Sequence, residues 1–159
     1  MFEIRPIEAR DNPKIASIIQ QSLVEFNAAK PGTMYFDPSV NSTFEHFQKE
    51  RSEYFIAELN GEVVGGGGYY PTEGLPKGVV ELARLYLSPQ ARGKGIGKHL
   101  VVHCEQRAKL QGYQQMYLET LEELNIAIPL YLKLGYQFTE VALGNSGHFG
   151  CDIRMLKTL

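Results

Sequence analysis

The feature that constrains folding most lies between residues 79 and 111, where the pattern changes from strand to turn to helix. The β-rich run Val79–Leu87 ends shortly before Pro89. A turn with three alternating glycines follows, at Gly93, Gly95 and Gly97. Apolar residues then recur at every fourth position, which predicts a helix over 97–111. Any fold of this chain has to accommodate a strand that passes through a glycine-rich turn directly into a helix.

The glycine-rich turn has the chemistry of a phosphate-binding site. Glycines lack a Cβ atom and allow successive backbone N–H groups to point at one spot, and a helix N-terminus adds partial positive charge. Residues 84–109 contain six Lys/Arg and one acidic residue, whereas the whole chain has a formal charge of −2. This local positive excess indicates a small polyanionic ligand rather than a nucleic acid. The purely structural alternative is a loop that only turns the chain.

Two common phosphate-binding patterns do not match this turn. A Walker A loop ending at Lys98 would need glycine where Arg92 stands and a hydroxyl residue where His99 stands. The G-x-G-x-x-G dinucleotide fingerprint fails because its last position is Lys98. Neither nucleotide-binding loop therefore explains the turn.

The whole sequence predicts one α/β (α+β) domain that spans residues 1–159. This length suits a single domain with its own core. Asn60-Gly61 between two β-rich segments predicts a tight hairpin, and the four glycines at 65–68 mark a close backbone approach or a bend. The other predicted elements are a first strand around 2–7, helices over 13–27 and through 44–47, a strand over 113–120, a helix around 127–134, and closing strands over 136–141 and 151–156. The order βααβββαβαββ places these elements around a mixed sheet.

Composition excludes several classes of protein. An isoelectric point near 6.1 disfavours a general nucleic-acid binder. No apolar run reaches the ~18 residues that a membrane span needs, and the first residues lack a signal-peptide pattern. Cys104 and Cys151 form neither a Cys-x-x-Cys motif nor a disulfide framework. We therefore expect a protein of the reducing cytoplasm.

Two motifs resemble those of a known family. The segment Arg92-Gly93-Lys94-Gly95-Ile96-Gly97 matches the Q/R-x-x-G-x-G/A signature of the Gcn5-related N-acetyltransferases (GNAT). Downstream, residues 125–136 are similar to that family's helix pattern N…A…Y…K.GF, with Tyr136 in place of the usual Phe. The two motifs occur in the family's order, and the predicted element order agrees with it across nearly the whole chain.

The resemblance implies a GNAT-like fold that uses acetyl-CoA as cosubstrate. In that fold the mixed sheet has helices on both faces, and a β-bulge splays two strands so that the pantetheine arm fills the gap. Backbone groups of Leu85 and Leu87 would bind this arm, and one amide there would stabilise the oxyanion. Asn125 matches an asparagine that binds the cosubstrate, although it also suits a helix N-cap. The pyrophosphate would lie on the amides of the turn, which are those of Arg92, Gly93, Lys94, Gly95, Gly97 and Lys98.

The resemblance also implies two catalytic residues. Tyr131 matches a tyrosine near the thioester sulfur, where a phenol can protonate the departing CoA thiolate. Because it shares an apolar helix face, it also suits the core. Glu81 stands sixteen residues before Gly97, as the catalytic glutamate does in the histone-acetylating branch of the family. Partial burial in a strand would raise the pKa of this carboxyl and suit it to act as a base. The alternatives are a water chain as base and Glu81 as a salt-bridge partner of Arg84.

The implied reaction is direct transfer of the acetyl group to a primary amine of a small molecule or a peptide. A CoA-binding module without turnover and an acyltransferase for a longer acyl group remain open alternatives. The carboxylate of Asp37 could hold a cationic amine, but we expect it to be a solvated loop acid instead. The full set of acceptor-site candidates is Tyr35, Phe36, Asp37, Tyr69, Tyr70, His148 and Phe149.

Other residues are predicted to have structural roles. His99 and His103 stand one helical turn apart, but without a third ligand we predict no metal site. Cys104 fits the apolar stripe of its helix, and Cys151 is expected in a closing strand rather than as a nucleophile. We expect neither a nucleic-acid nor a membrane partner. Homodimers are common in the family, but no interface pattern is visible in this sequence.

Overall fold

The fold consists of seven strands, four α-helices and short 3₁₀ turns. The computed structural model describes residues 1–159, and its elements follow the predicted order βααβββαβαββ. The strands are β1 (Phe2–Pro6), β2 (Glu53–Leu59), β3 (Glu62–Tyr70), β4 (Val79–Leu87), β5 (Gln115–Thr120), β6 (Gln137–Thr139) and β7 (Ile153–Thr158). The helices are α1 (Asn12–Glu25), α2 (Thr43–His46), α3 (Ile96–Leu110) and α4 (Ala127–Lys133). None of these helices is long and apolar enough to cross a membrane.

All seven strands form one mixed sheet in the order β1-β2-β3-β4-β5-β7-β6. The first four strands are antiparallel neighbours, β4 and β5 are parallel, and β5, β7 and β6 are antiparallel again. This arrangement confirms the predicted α/β class with a mixed sheet. The differences concern element ends, because α1 ends at Glu25 and Cys151 precedes β7 instead of lying within it.

The β2–β3 hairpin forms as the sequence predicts. Asn60 and Gly61 have φ angles of 52° and 82°, the left-handed pair that a tight two-residue turn requires. A bulge next to Ala57 then shifts the register of the two strands. The result is that Tyr54 of β2 lies directly opposite Gly68 of β3.

The sheet has an apolar core on each face. Residues of α3 and α4 cover one face, where they pack against strand residues such as Val80 and Met155. Residues of α1 cover the opposite face together with Tyr54 and Ile56. We refer to these as the α3 face (Val80 and Met155) and the α1 face (Tyr54 and Ile56). Both cores are continuous across several strands, so the sheet is buried on both sides.

The glycine run of β3 marks a close approach of neighbouring groups, one of the two predicted alternatives. The Tyr54 ring lies across Gly66 and Gly68 on the α1 face, and a Cβ atom on Gly66 would come within 2.6 Å of Tyr54 Cε1. Glycine at these positions allows the ring to cross β3. The Tyr54 hydroxyl then donates a hydrogen bond of 2.8 Å to the main-chain carbonyl oxygen of Arg84 in β4. The glycines of β3 thus permit a contact between β2 and β4.

We expect Gly68→Ala to lower the free energy of unfolding by ~1–3 kcal/mol, the usual cost of overpacking. Its Cβ atom would meet the main chain of β2, including Tyr54 Cα at 3.0 Å. Gly67→Ala is the matched control, because its nearest contact is the end of the flexible Leu85 side chain, with Cδ1 at 2.8 Å. Urea denaturation of both variants measures the difference. Equal losses of stability would contradict the close-approach explanation.

Candidate active site

A cleft opens in the sheet where β4 and β5 separate. The two strands pair only from Val79 and Gln115 to Glu81 and Tyr117. Beyond that point β4 lines one side of the cleft, and β5 with α4 lines the other. The lining is mainly apolar, and it includes Tyr131 of α4. Splayed strands with a narrow apolar gap are the arrangement that the family resemblance implies for this part of the chain.

A β-bulge alters β4 beside the cleft. Gly68 of β3 pairs with Ala83, whereas Gly66 pairs with Tyr86, so β4 contains one residue more than β3 in this interval. Arg84 lies within the bulge with a φ angle of 55°. A non-glycine residue keeps this left-handed conformation only where its surroundings hold it in place. The predicted bulge is therefore present, and it is centred on Arg84.

Buried hydrogen bonds hold the side chain of Arg84. Its guanidinium group donates to the carbonyl oxygen of Ser39 at 3.2 Å, to the Thr43 hydroxyl at 2.8 Å, and to the Ser39 hydroxyl. Burial lowers the pKa of Arg84, and the nearby Asp37 carboxylate opposes that effect. These contacts direct the guanidinium toward the segment before α2. The predicted alternative of a Glu81–Arg84 salt bridge is therefore wrong.

The bulge also reverses the side-chain alternation of β4. Leu85 and Leu87 pack with Leu82 on the α3 face, and all three line the cleft. The carbonyl oxygen of Leu87 accepts a hydrogen bond of 3.0 Å from the Arg92 side chain. The backbone of Leu85 and Leu87 thus borders the gap between β4 and β5, and its binding to a cosubstrate stays a prediction.

The glycine-rich turn connects the outer end of this cleft to α3. Gly93 and Gly95 have φ angles of 74° and 79°, and Gly95 immediately precedes the helix. The first N–H groups of a helix have no partner within it, so they face outward at this turn. A Cβ atom on Gly97 would lie 3.3 Å from Leu87 Cδ1 and 3.4 Å from Leu130 Cδ2. The turn is therefore a cradle of backbone amides closed tightly against β4 and α4, which suits a phosphate group.

Of the three cationic side chains in this turn, one is already neutralised by an acidic residue of the protein. Arg92 forms a salt bridge with Glu25 of α1 at 2.6 Å, so its side chain anchors the turn to the α1 side of the fold. Lys94 and Lys98 are exposed beside the amides. These two lysines supply the positive charge next to the cradle, whereas the backbone N–H of Arg92 already donates to the carbonyl oxygen of Pro89 at 3.2 Å.

Asn125 lies at the rim of the cleft and does not cap a helix. The residue that precedes α4 is Ile126, and no side chain caps the helix there, so the N-cap alternative is wrong. Asn125 is exposed between Leu124 and Ile126, and both neighbours line the cleft. Its contact with a cosubstrate stays a prediction.

Glu81 is buried near the inner end of the cleft, where β4 and β5 begin to separate. The carboxyl group accepts a hydrogen bond from the Thr72 hydroxyl. Burial raises the pKa of Glu81 to about 7, the Thr72 bond works against this, and the Glu119 carboxylate adds to it. Only 8% of the residue is exposed, and it does not itself line the cleft. A carboxyl with this pKa is partly ionised at neutral pH, as a general base should be.

Tyr131 lines the cleft from the α3 face. It is 6% exposed, and burial raises the pKa of its hydroxyl. The hydroxyl forms no hydrogen bond within the protein. A phenol in this state keeps its proton at neutral pH and is available as a proton donor.

Tyr86 is a cleft residue that sequence reasoning missed. It lines the same cleft, forms no hydrogen bond through its hydroxyl, and has a pKa raised by burial. The bulge at Arg84 turns it toward the α1 face together with Ala83. No local pattern in the sequence reveals that change of alternation.

Asp37 and His148 meet beside the cleft, although they are 111 residues apart. The distance from His148 Nε2 to Asp37 Oδ2 is 2.7 Å. The hydrogen bond with His148 is the main reason that the pKa of Asp37 is lowered, and bonds from Ser39 contribute. Asp37 is therefore not the solvated loop acid that we expected. The pair ties the segment before α2 to the loop before β7.

The remaining acceptor candidates do not form one site. Tyr69 is fully buried on the α3 face, away from the Asp37–His148 pair, so its assignment to an acceptor pocket is wrong. Tyr70 stacks on His46 at a ring distance of 4.2 Å. Tyr35 is partly buried on the α1 face. Phe36 and Phe149 are 59% and 82% exposed.

The cysteines and the histidine pair have structural surroundings. Cys104 is completely buried in the α3 core, as predicted. Cys151 lines the cleft, and burial raises the pKa of its thiol to about 12. His99 and His103 pack against different aromatic rings. No group of three or more His, Cys, Asp or Glu side chains in residues 1–159 is arranged to hold a metal ion.

Comparison with known proteins identifies the family. A family model described as "Acetyltransferase (GNAT) family" matches residues 16–136, which is more than half of the chain. The chain belongs to the GNAT acetyltransferase family. Over 157 residues it is 37% identical to the "Uncharacterized N-acetyltransferase YjgM" of Escherichia coli (strain K12), covering 98% of this chain and 94% of that protein. These matches establish an acyltransferase.

Solved structures of GNAT proteins share the fold. A GNAT acetyltransferase from Staphylococcus aureus Mu50 superposes with a TM-score of 0.87 at 16% identity, over 100% of this chain and 99% of that one. A phosphinothricin acetyltransferase from Sinorhizobium meliloti, solved in complex with acetyl-CoA, gives a TM-score of 0.78 at 26% identity, over 99% and 88% of the two chains. These likenesses confirm the predicted GNAT architecture.

We expect carbon NMR titration of the glutamate side chains to find a pKa of about 7 for Glu81. Thr72→Val should raise this pKa, because the lost hydrogen bond stabilises the carboxylate. Glu119→Gln should lower it, because the substitution removes a nearby negative charge. Because the two substitutions should shift the Glu81 pKa in opposite directions, each variant is a control for the other. A Glu81 pKa near the ordinary value of ~4.3 would contradict the burial described here.

Proposed function

We propose that this GNAT acetyltransferase transfers the acetyl group of acetyl-CoA directly to a primary amine of a small molecule or a peptide. The observation that carries the proposal is the cleft between β4 and β5. An unbonded Tyr131 hydroxyl lines it, and a Glu81 carboxyl with a pKa of about 7 lies near its inner end. A proton donor and a proton acceptor at one cleft suit acyl transfer from a thioester to an amine.

The residues of the outer cleft suit acetyl-CoA. The amides of the glycine-rich turn, together with the exposed Lys94 and Lys98, would hold its phosphates, and Asn125 at the rim of the cleft would contact the cosubstrate. Leu85 and Leu87 would bind the pantetheine arm through their backbone. When bound, acetyl-CoA supplies an acetyl group on a thioester. A backbone N–H in this part of β4 would donate to the thioester oxygen as negative charge develops there.

Glu81 would remove a proton from the acceptor. An amine with a pKa of ~10.4 is almost entirely protonated at pH 7, and only its neutral form is nucleophilic. Because Glu81 does not line the cleft, we assign it to accept this proton through a water molecule between the carboxylate and the amine. A base with a pKa of about 7 then returns the proton to solvent without a large barrier.

Tyr131 would protonate the CoA thiolate as it leaves. The pKa of a phenol in water already exceeds that of a thiol, and burial raises the pKa of Tyr131 further. The same surroundings raise the pKa of a thiol, as the buried Cys104 shows. Burial therefore affects donor and acceptor in the same direction, and it does not by itself oppose the transfer.

The experiment that tests the reaction is a thiol-reagent assay of CoA release. The acceptors are a panel of simple amines, amino acids, polyamines and short peptides, with acetyl-CoA as donor. Butyryl-CoA in parallel tests the alternative of a longer acyl group. Amine-dependent release from acetyl-CoA supports the proposal. Acetyl-CoA binding without release for any acceptor would contradict it.

Tyr131→Phe should lower kcat by ~10–100-fold, because it removes the proton donor to the thiolate. The Kd for acetyl-CoA should not change, since the ring and its packing remain. Tyr86→Phe is the matched control, because it removes the other unbonded phenol hydroxyl of the cleft. Steady-state kinetics and calorimetric titration measure the two quantities. A loss with Tyr86→Phe and none with Tyr131→Phe would show that the assignment is wrong.

The pH profile should report Glu81. Its carboxylate is the active form, so log(kcat/KM) should rise with pH and lose one unit of slope near pH 7, where Glu81 becomes ionised. Above that pH only the ionisation of the amine remains. Glu81→Gln should lower kcat and remove the break near pH 7. A break that persists in the variant would assign the ionisation to another group.

A further inference from the structure

One guanidinium group beside the cleft lacks a carboxylate partner. Arg154 lies in β7, and its Nε atom is buried without a hydrogen bond. Its Nη1 atom donates to the carbonyl oxygen of Glu140 at 3.3 Å, and no carboxylate lies within salt-bridge distance of the side chain. A buried donor without a partner costs free energy, more so in a charged group. The side chain is therefore poised for a partner that the protein itself does not supply.

The nearest acidic residue does not neutralise Arg154. Glu119 of β5 lies directly opposite Arg154 in the sheet. However, one oxygen of its carboxylate accepts a hydrogen bond of 2.7 Å from the Tyr117 hydroxyl, and the other accepts one from the Ser146 hydroxyl. These two neutral donors hold Glu119 away from the guanidinium. Arg154 and Glu119 are thus neighbours on adjacent strands, but they do not form a salt bridge.

Arg154 lines a small hollow that adjoins the cleft. The hollow is formed by residues 142–149 and the start of β7, and it shares Glu119 and Cys151 with the cleft. Asn145, Ser146 and His148 contribute polar groups to its lining. His148 is already paired with Asp37, and the Arg154 guanidinium in the same hollow has no carboxylate partner. The hollow meets the cleft at the end where Glu81 and Glu119 influence each other.

We propose that this hollow binds a carboxylate of the acceptor and that Arg154 is the residue that recognises it. The inference rests on the proposed function, because it places the amine of the same molecule at the inner end of the cleft. The acceptor class is then an amino acid or a similar compound with an acid group close to its amine. Glu119 and Glu81 favour the ammonium end, and the planar guanidinium of Arg154 suits the carboxylate end.

Matched ligands test the proposal without requiring turnover. Calorimetric titration in the presence of CoA compares a panel of amino acids with their carboxamides, which keep the amine and lose the negative charge. We expect wild-type protein to bind at least one acid about tenfold more tightly than its amide, as a charge-assisted bond would produce. Arg154→Gln should abolish this preference and leave amide binding unchanged. Arg154→Lys should keep part of it.

Lys109→Gln is the control for loss of a cation, because Lys109 is exposed at the far end of α3. It should retain the full preference. The proposal is wrong if no acid binds, if acids and amides bind equally to the wild-type protein, or if Arg154→Gln retains the preference. The wild-type comparison alone can overturn the carboxylate site, and Arg154→Lys tests the role of Arg154 where Arg154→Gln does not fold.

Parallel turnover assays separate this inference from the proposed function. Acid-selective binding without CoA release would overturn the proposed reaction and leave the carboxylate site standing. CoA release from amines with no preference for acids would support the reaction and overturn the role of Arg154.

Discussion

The bulge at Arg84 is the constraint on which the rest of this site depends. Its left-handed backbone inserts one extra residue into β4 beside the point where β4 parts from β5. Tyr54 holds the carbonyl group of Arg84 from across β3, and this reach is possible because Gly66 and Gly68 have no side chains. A bulge changes the side-chain alternation of its strand. Which side chains line the cleft therefore depends on one residue that none of the cleft's chemistry uses.

The sheet separates the two groups to which we assign proton transfer. Glu81 belongs to the α1 side of β4, where burial raises its pKa, the Thr72 hydrogen bond opposes that effect and Glu119 adds to it. Tyr131 belongs to the α3 face, where burial is the main cause of its raised pKa and Cys104 adds to it. The gap between β4 and β5 is the place where both faces meet. Each group consequently has a pKa set by its own surroundings, so one can be a base near neutrality while the other remains a proton donor.

Local sequence patterns predict the elements well, because they report nearest-neighbour preferences. Val79–Leu87 has the predicted bounds, and Asn60-Gly61 forms the expected turn. Burial of Glu81 follows from its place in a central strand. The contact between Asp37 and His148 was not predictable, since it joins two loops 111 residues apart. The orientation of Tyr86 depends on the bulge in β4, and the position of Arg154 depends on the pairing of β7 with β5. Neither feature can be read from a local sequence pattern.

The two ends of the cleft carry different charged groups. The outer end has exposed cations, and the inner end has buried or half-buried acids. At the outer end, exposed Lys94 and Lys98 and the amides of the turn can meet a highly charged ligand in water, where partial screening is tolerable. At the inner end, hydroxyl groups rather than cations hold the acids: Thr72 on Glu81, and Tyr117 with Ser146 on Glu119. A cationic partner would fix a carboxylate in its ionised form. Neutral partners position these acids and leave their charge free to act on a proton or on an incoming ligand.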